Sequence, residues 1–171
     1  MKCTDYEKLA VGILRKSYIG TVATTSVDGQ PWNTPVVMEC DSRLQLYWFS
    51  DQASQHARNV RENGRAFIVL YDSTVTSGQG RRTGLYIRTS ARELHDIQEI
   101  RRACTLRKPN NLDYPRSFIG KAVRRVYQAT PEQLWINEEQ IEAGVFIRDY
   151  RVELSLFAVQ LELSAEMTRP D

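Results

Sequence analysis

The chain has 171 residues, 42% hydrophobic and 26% charged, with 9 Gly and 6 Pro, which excludes collagen, low-complexity and disordered polymers. One domain over residues 1–171 is expected, with a core that needs neither disulfides nor metal to support it. The longest clean apolar run, Ala66 to Tyr71, is too short to span a bilayer, and no apolar stretch follows Met1 to Asp5; the expected setting is the cytosol, without a membrane partner.

In chain order, Asp5 is placed to cap a helix whose apolar positions Tyr6, Leu9, Ile13 and Leu14 keep helical spacing as far as Ser17. Ile19 to Thr25 is rich in β-branched residues, Asp28-Gly29 is a hairpin turn, and Trp32 to Cys40 reads as the returning strand. A turn at Asp41-Ser42 leads to a third strand, Leu44 to Phe49. Ser54 to Asn63 reads as a short helix with Ser50 or Asp51 as its cap and Gly64 past its end. Strands follow at Ala66 to Tyr71 and Thr83 to Leu94, separated by a loop, Asp72 to Gly80. Asp96 to Leu106 is helical in pattern and Pro109 to Pro115 is loop. Val123 to Ala129, Leu134 to Ile136 and Val145 to Leu156 complete the strands. Five strands interrupted by one helix point to a small antiparallel barrel.

Three cysteines (Cys3, Cys40, Cys104) are too few and too widely spaced for a disulfide framework or a zinc site. With only His56 and His95 beside them, no metal is expected, and the thiols read as reduced bystanders. Charge is uneven: residues 54–125 hold 15 Lys/Arg against 6 Asp/Glu, so the middle of the chain attracts an anion. The basic residues are not interleaved with stacking aromatics, and no nucleic-acid partner is expected.

The informative segment is Gly20 to Arg58, GTVATTSVDGQPWNTPVVMECDSRLQLYWFSDQASQHAR, where strands feed into a helix whose first turn carries Ser54 and His56. A helix start offers unpaired N–H groups and partial positive charge, so a phosphate there would meet backbone donors, the Ser54 hydroxyl, a protonated His56 and nearby Arg58. The alternative is a capping serine and a solvated histidine. From these residues alone both readings stand. Trp32 and Trp48 could wall a pocket or fill a core, and Gly78-Gln79-Gly80 lacks the strand-to-helix context of a phosphate loop.

The opening helix before IGTVATTSVDGQPWNTPV, the string LYWFSDQASQHARNV with its Ser-x-His step, and VLYDSTVTSGQGRRTGLYIRTSAREL together resemble the pyridoxamine 5′-phosphate oxidase-like split β-barrels that bind flavin mononucleotide (FMN). The likeness covers roughly residues 5–95 and is looser beyond. It implies a mainly β fold with a few helices, a six-stranded antiparallel split β-barrel, and a homodimer with FMN at its interface. By position, Thr34, Pro35 and Val36 would run along the flavin ring, and Phe49 and Ser50 would lie near the ribityl chain and phosphate. Ser54 and His56 would hold the phosphate, and Arg82 with Thr83 would come from the second subunit. The resemblance implies an oxidoreductase acting on a small molecule, with a non-enzymatic cofactor carrier or a deazaflavin-dependent reductase as alternatives.

The chain departs from the true vitamin-B6 oxidases at two points. Glu39, or Met38 one register over, stands where they carry a substrate-binding Lys, and Arg148-Asp149-Tyr150-Arg151 replaces their Arg-x-His motif. A carboxylate there would repel the substrate phosphate.

Overall fold

The chain begins with a helix, α1 (Cys3–Lys16), whose stripe Ala10, Val11, Ile13 and Leu14 is buried, with Tyr6 and Leu9 packed at its margin. The computed structural model describes residues 3–71, 83–111 and 113–167. Asp5 sits inside the first turn of α1 instead of capping it.

The strand expected from Trp32 to Cys40 is two strands. β1 (Ile19–Thr25) pairs with β2 (Pro31–Val37), the chain breaks at Met38, and β3 (Glu39–Cys40) pairs with β4 (Leu46–Asp51). Met38 is buried and donates its N–H to Tyr18 O, off the ladder. β4 starts later than expected because Leu44 takes a left-handed turn conformation, φ 62°.

After α2 (Gln55–Asn63) come β5 (Arg65–Tyr71), β6 (Gly84–Glu93), α3 (Ile97–Arg107) and a 3-10 turn, Tyr114–Phe118. The two segments expected at Val123 to Ala129 and Leu134 to Ile136 form one strand, β7 (Arg124–Glu142), that runs through Pro131. The β6–β7 register shifts between Arg88 and Thr89, opposite that proline, which accommodates its missing N–H. β8 (Val145–Leu154) is followed by α4 (Leu156–Met167), a helix the sequence reading did not foresee; Ser155 Oγ accepts the Ala158 N–H at its start.

The sheet is antiparallel in the order β2-β1-β5-β6-β7-β4-β3, with β8 on β7, eight strands among the described residues rather than six. β2 and β3 form its two ends, separated in sequence by one residue. β2 lies against β4 without a ladder, so the barrel is split there.

Val22, Ile68, Ile87, Leu134, Ile136 and Trp48 fill the interior, closed at one end by α1 and by Val159 and Leu163 of α4. A second core outside the sheet packs Tyr47, Phe49 and Val126 against Ile100, Cys104 and Phe118. β4 is therefore buried on both faces, which explains its unbroken apolar run Leu46 to Phe49. Each fully buried Leu or Ile contributes about 1.5–3 kcal/mol.

Gly64 ends α2 at φ 67°, and its carbonyl accepts the Ala91 N–H at 2.7 Å. A Cβ there would come within 3.1 Å of Ala91 O. Gly64→Ala should cost about 1 kcal/mol or more, read as a Tm lowered by roughly 3 °C. Gly12→Ala, in open space within α1, should raise stability by about 0.5–1 kcal/mol.

Candidate cofactor site

The start of α2 is held by its surroundings, not by its own cap. The N-cap is Ser54, not Ser50 or Asp51, yet its Oγ makes no capping bond and donates instead to Asp51 O at 2.7 Å. The Asp51 carboxylate accepts the Ala53 N–H, forming a tight turn before the helix. With no side chain covering them, the first-turn N–H groups remain available to an anion.

Three guanidinium groups brace the end of β4 and the loop that follows it. Arg124 donates to Phe49 O at 3.0 Å, Arg61 to Gln52 O at 2.8 Å, and Arg58 to Ala53 O. Gln52 is also tied to Val123 O and Ala122 O through its backbone and side-chain amides. The positive charge around this turn therefore comes from Arg58, Arg61 and Arg124. Only Arg58 was expected there: Arg61 and Arg124 lie 7 and 70 residues beyond Ser54, and no local motif marks them.

His56 is brought to Ser54, Nε2 to Oγ 3.3 Å, but it is only 4% exposed. Burial holds its imidazole below the ordinary 6.5, which disfavours the protonated ring expected beside a phosphate. That ring meets the edge of Tyr127, which stacks on Trp48 at 5.5 Å. Trp48 is thus core, while Trp32 is half exposed on β2. Behind Tyr127, Glu93 gathers Arg61 at 3.0 Å, Arg125 at 3.4 Å and the Tyr127 hydroxyl at 3.3 Å. Burial, reinforced by Glu93, pushes the Tyr127 hydroxyl well above its ordinary range. This network fixes Arg61 against the loop; removing Glu93 would leave two guanidiniums without their shared partner.

α2 packs across β1 and β2: Asn59 donates to Thr24 Oγ1 and Asn63 to Thr25 O, at the end of β1 that pairs with Pro31 and Trp32. Pro35 is exposed, Thr34 is half-buried and accepts the Trp32 indole N–H at 2.9 Å, and Val36 is buried. Phe49 presents only its backbone to this side: its ring lies in the outer core, 4.9 Å from Phe118 and under Arg107. Ser50 follows at the half-buried end of β4, opposite Arg125. Thr83 precedes β6, half-buried; Arg82 and Gly78-Gln79-Gly80 lie outside the described residues. Burial raises the Glu39 carboxyl and Arg107 opposes the shift; Glu39 lies opposite Tyr47 in the β3–β4 ladder, on the side packed by α3. Cys40 and Cys104 are held protonated by burial, pushed up to about 12 and about 11. No group of metal-ligating side chains occurs among the described residues.

Fold and site thus describe an open, split antiparallel barrel with an anion-receptive helix start beside the split. A family model, pyridoxamine 5′-phosphate oxidase, matches residues 7–136, and the chain belongs to that family as a distant member. Among solved structures, a heme-binding protein from Mycobacterium smegmatis superposes with TM-score 0.64 at 15% identity, covering 91% of this chain and 60% of that one. HutZ, the heme storage protein from Vibrio cholerae, gives 0.59 at 16%, covering 78% and 92%. A Clostridium acetobutylicum protein related to general stress protein 26, of the pyridoxinephosphate oxidase family, gives 0.59 at 13%, covering 88% and 95%. No curated protein sequence matches. These identities support the fold alone.

Because the folded state disfavours His56 protonation, the unfolded chain takes up that proton first as pH falls. The resulting stability is present above the ordinary value of 6.5 and is lost as pH drops below it. Thermal melts between about pH 7.5 and 5.5 should show a falling Tm, and His56→Gln should flatten that slope. An unchanged slope would place the titrating group elsewhere.

Proposed function

We propose that this chain binds FMN at the split between β2 and the start of α2, as a homodimer, and works as an oxidoreductase on a small molecule. The observation that carries the reading is the uncapped first turn of α2 inside an arginine-braced loop, at the position where the family resemblance puts the cofactor phosphate. Its first turn fits a phosphate: uncapped backbone N–H groups beside Ser54, with the positive charge of three fixed guanidiniums close by. A bound flavin supplies hydride chemistry from its own ring.

The residues of this chain would then bind and orient. Ser54 and the helix start fix the phosphate, Arg58, Arg61 and Arg124 balance its charge through the loop, and the exposed backbone of Thr34 and Pro35 offers an edge for the ring. Glu39, or Met38 one register over, stands where the resemblance puts a substrate-binding Lys, which argues against a phosphorylated vitamin B6 vitamer.

Haem is the second reading, favoured by the two haem proteins of similar fold. His95 is the accessible imidazole of the pair, but the cavity beside it measures about 220 Å³, below the roughly 300 Å³ at which small-molecule pockets begin.

Absorption spectroscopy of the purified protein separates the readings, since flavin bands support FMN and a Soret band supports haem. Titration should show FMN bound at least about tenfold more tightly than riboflavin, which lacks the phosphate. Gln55→Pro removes one first-turn N–H at a position where proline suits the helix, and should shrink that preference several-fold; Ser54→Ala should do the same. Equal affinity for FMN and riboflavin would remove the phosphate site. A reduced flavin that exchanges electrons with no nicotinamide or quinone would leave a carrier instead of an enzyme.

A further inference from the structure

Outside the barrel, α3 and the outer face of β4, β6 and β7 enclose a second cavity of about 350 Å³. That volume is within the roughly 300–1,000 Å³ of small-molecule sites. Gln45 and Tyr47 line it at one end of β4, whereas α2 starts beyond Asp51 at the other, about 20 Å along the strand. It is therefore a different place from the start of α2.

Its floor is one hydrogen-bonded chain. Glu99 accepts both terminal nitrogens of Arg92, at 3.0 and 2.7 Å, and Arg92 also donates to Gln128 Oε1 at 2.7 Å. The Gln128 amide donates to the Tyr47 hydroxyl at 3.2 Å, and that hydroxyl donates to Asp41 Oδ2 at 3.0 Å. Tyr47 is only 3% exposed, so packing holds its hydroxyl in place. Beside it Thr130 donates to Gln45 Oε1 at 2.7 Å. Groups that already hold one another stay ordered before any ligand arrives. Glu99, the one carboxylate among the described lining residues, is neutralised by its two bonds from Arg92.

Two further guanidiniums line the same cavity without such a partner. Arg102, exposed on α3, makes no side-chain hydrogen bond or ion pair among the described residues and acts on Glu99 only through space. Arg43 lies 3.4 Å from Asp41, but both oxygens of that carboxylate are already engaged. Oδ1 accepts the backbone N–H groups of Arg43 and Gln45 at 3.0 and 2.9 Å, and Oδ2 accepts from Tyr47. The Arg43 side chain is 61% exposed. The lining thus carries three guanidiniums against one carboxylate, with Asp41 outside it, and its two spare cations come from different elements, the turn before β4 and α3.

We propose that this cavity binds a short organic dicarboxylate, one carboxylate on Arg43 and the other on Arg102, its chain lying over Tyr47 and Gln128. A guanidinium presents paired N–H donors that match a carboxylate. The lone pairs left on the Tyr47 and Thr130 oxygens repel anionic groups from the floor, so charge is read at the two arginines.

The inference stands apart from the flavin reading. Calorimetric titration of the full chain at physiological ionic strength tests it, with succinate as the probe and with butyrate, of equal length but one carboxylate, and inorganic phosphate as comparators. Succinate should bind with a sub-millimolar Kd, at least about tenfold tighter than either comparator. Arg43→Gln and Arg102→Gln should each weaken succinate at least about tenfold. Arg101→Gln, next to the site but bonded to Gln98, should change it less than about twofold. Melting curves check that each variant is folded. No saturable heat at millimolar succinate, equal affinity for succinate and butyrate, or binding indifferent to both lining exchanges overturns the proposal. So does a loss of the same size in Arg101→Gln, which would reduce the effect to general charge, and so does phosphate binding as tightly as succinate. FMN uptake is read in the same samples, and its absence overturns the cofactor reading alone.

Discussion

One break in one strand sets the architecture. Because β2 and β3 are separated by Met38 alone, a single stretch of chain supplies both ends of the sheet. The sheet must curl until those ends approach, yet the buried Met38, bonded to Tyr18 O, keeps them from sharing a ladder. What remains is a split flanked by β2 on one side and β4 on the other. α2 follows β4 directly and lies across β1 and β2, so a helix start is delivered to that split by connectivity, with no special motif.

Electrostatics at the split are arranged from a distance. The arginines that brace the loop come from α2 and from the first residue of β7, and Glu93 at the end of β6 orients Arg61 while also bonding Tyr127. With Arg61 and Arg58 on the Gln52 and Ala53 carbonyls and Arg124 on Phe49 O just before them, this turn carries positive charge without any cation needing to touch a ligand. That division of labour leaves His56 free to be a packed ring against Tyr127, where a protonated one would carry a desolvation cost.

Much of the fold was legible. β1 was bounded correctly from its β-branched run, and Gly64 as the stop of α2 and Asp96 as the start of α3 followed from helix chemistry that acts within a few residues. Ser54 and His56 were found because a helix start is a local feature. The misses share a cause. β7 looked like two short strands because Pro131 interrupts the pattern, and only the shift in the β6 partner shows how the proline is absorbed. The Ala143-Gly144 turn and α4 went unread because a β-branched run continuing into Leu-rich sequence gives no periodicity that separates strand from helix.

By itself, the sequence determined the order and type of most elements, the surplus of positive charge in the middle of the chain, and the family resemblance, all of which depend on residues close to one another. Tertiary structure alone decided the burial of His56, the inward turn of Trp48 and the outward turn of Phe49, the bracing of the turn before α2 by Arg61 and Arg124, and the bare arm of β7 and β8. The reason is physical: burial, desolvation and an unpaired edge are properties of what lies opposite a residue, and across a sheet the opposite residue can be 75 positions away, as Arg124 is from Phe49.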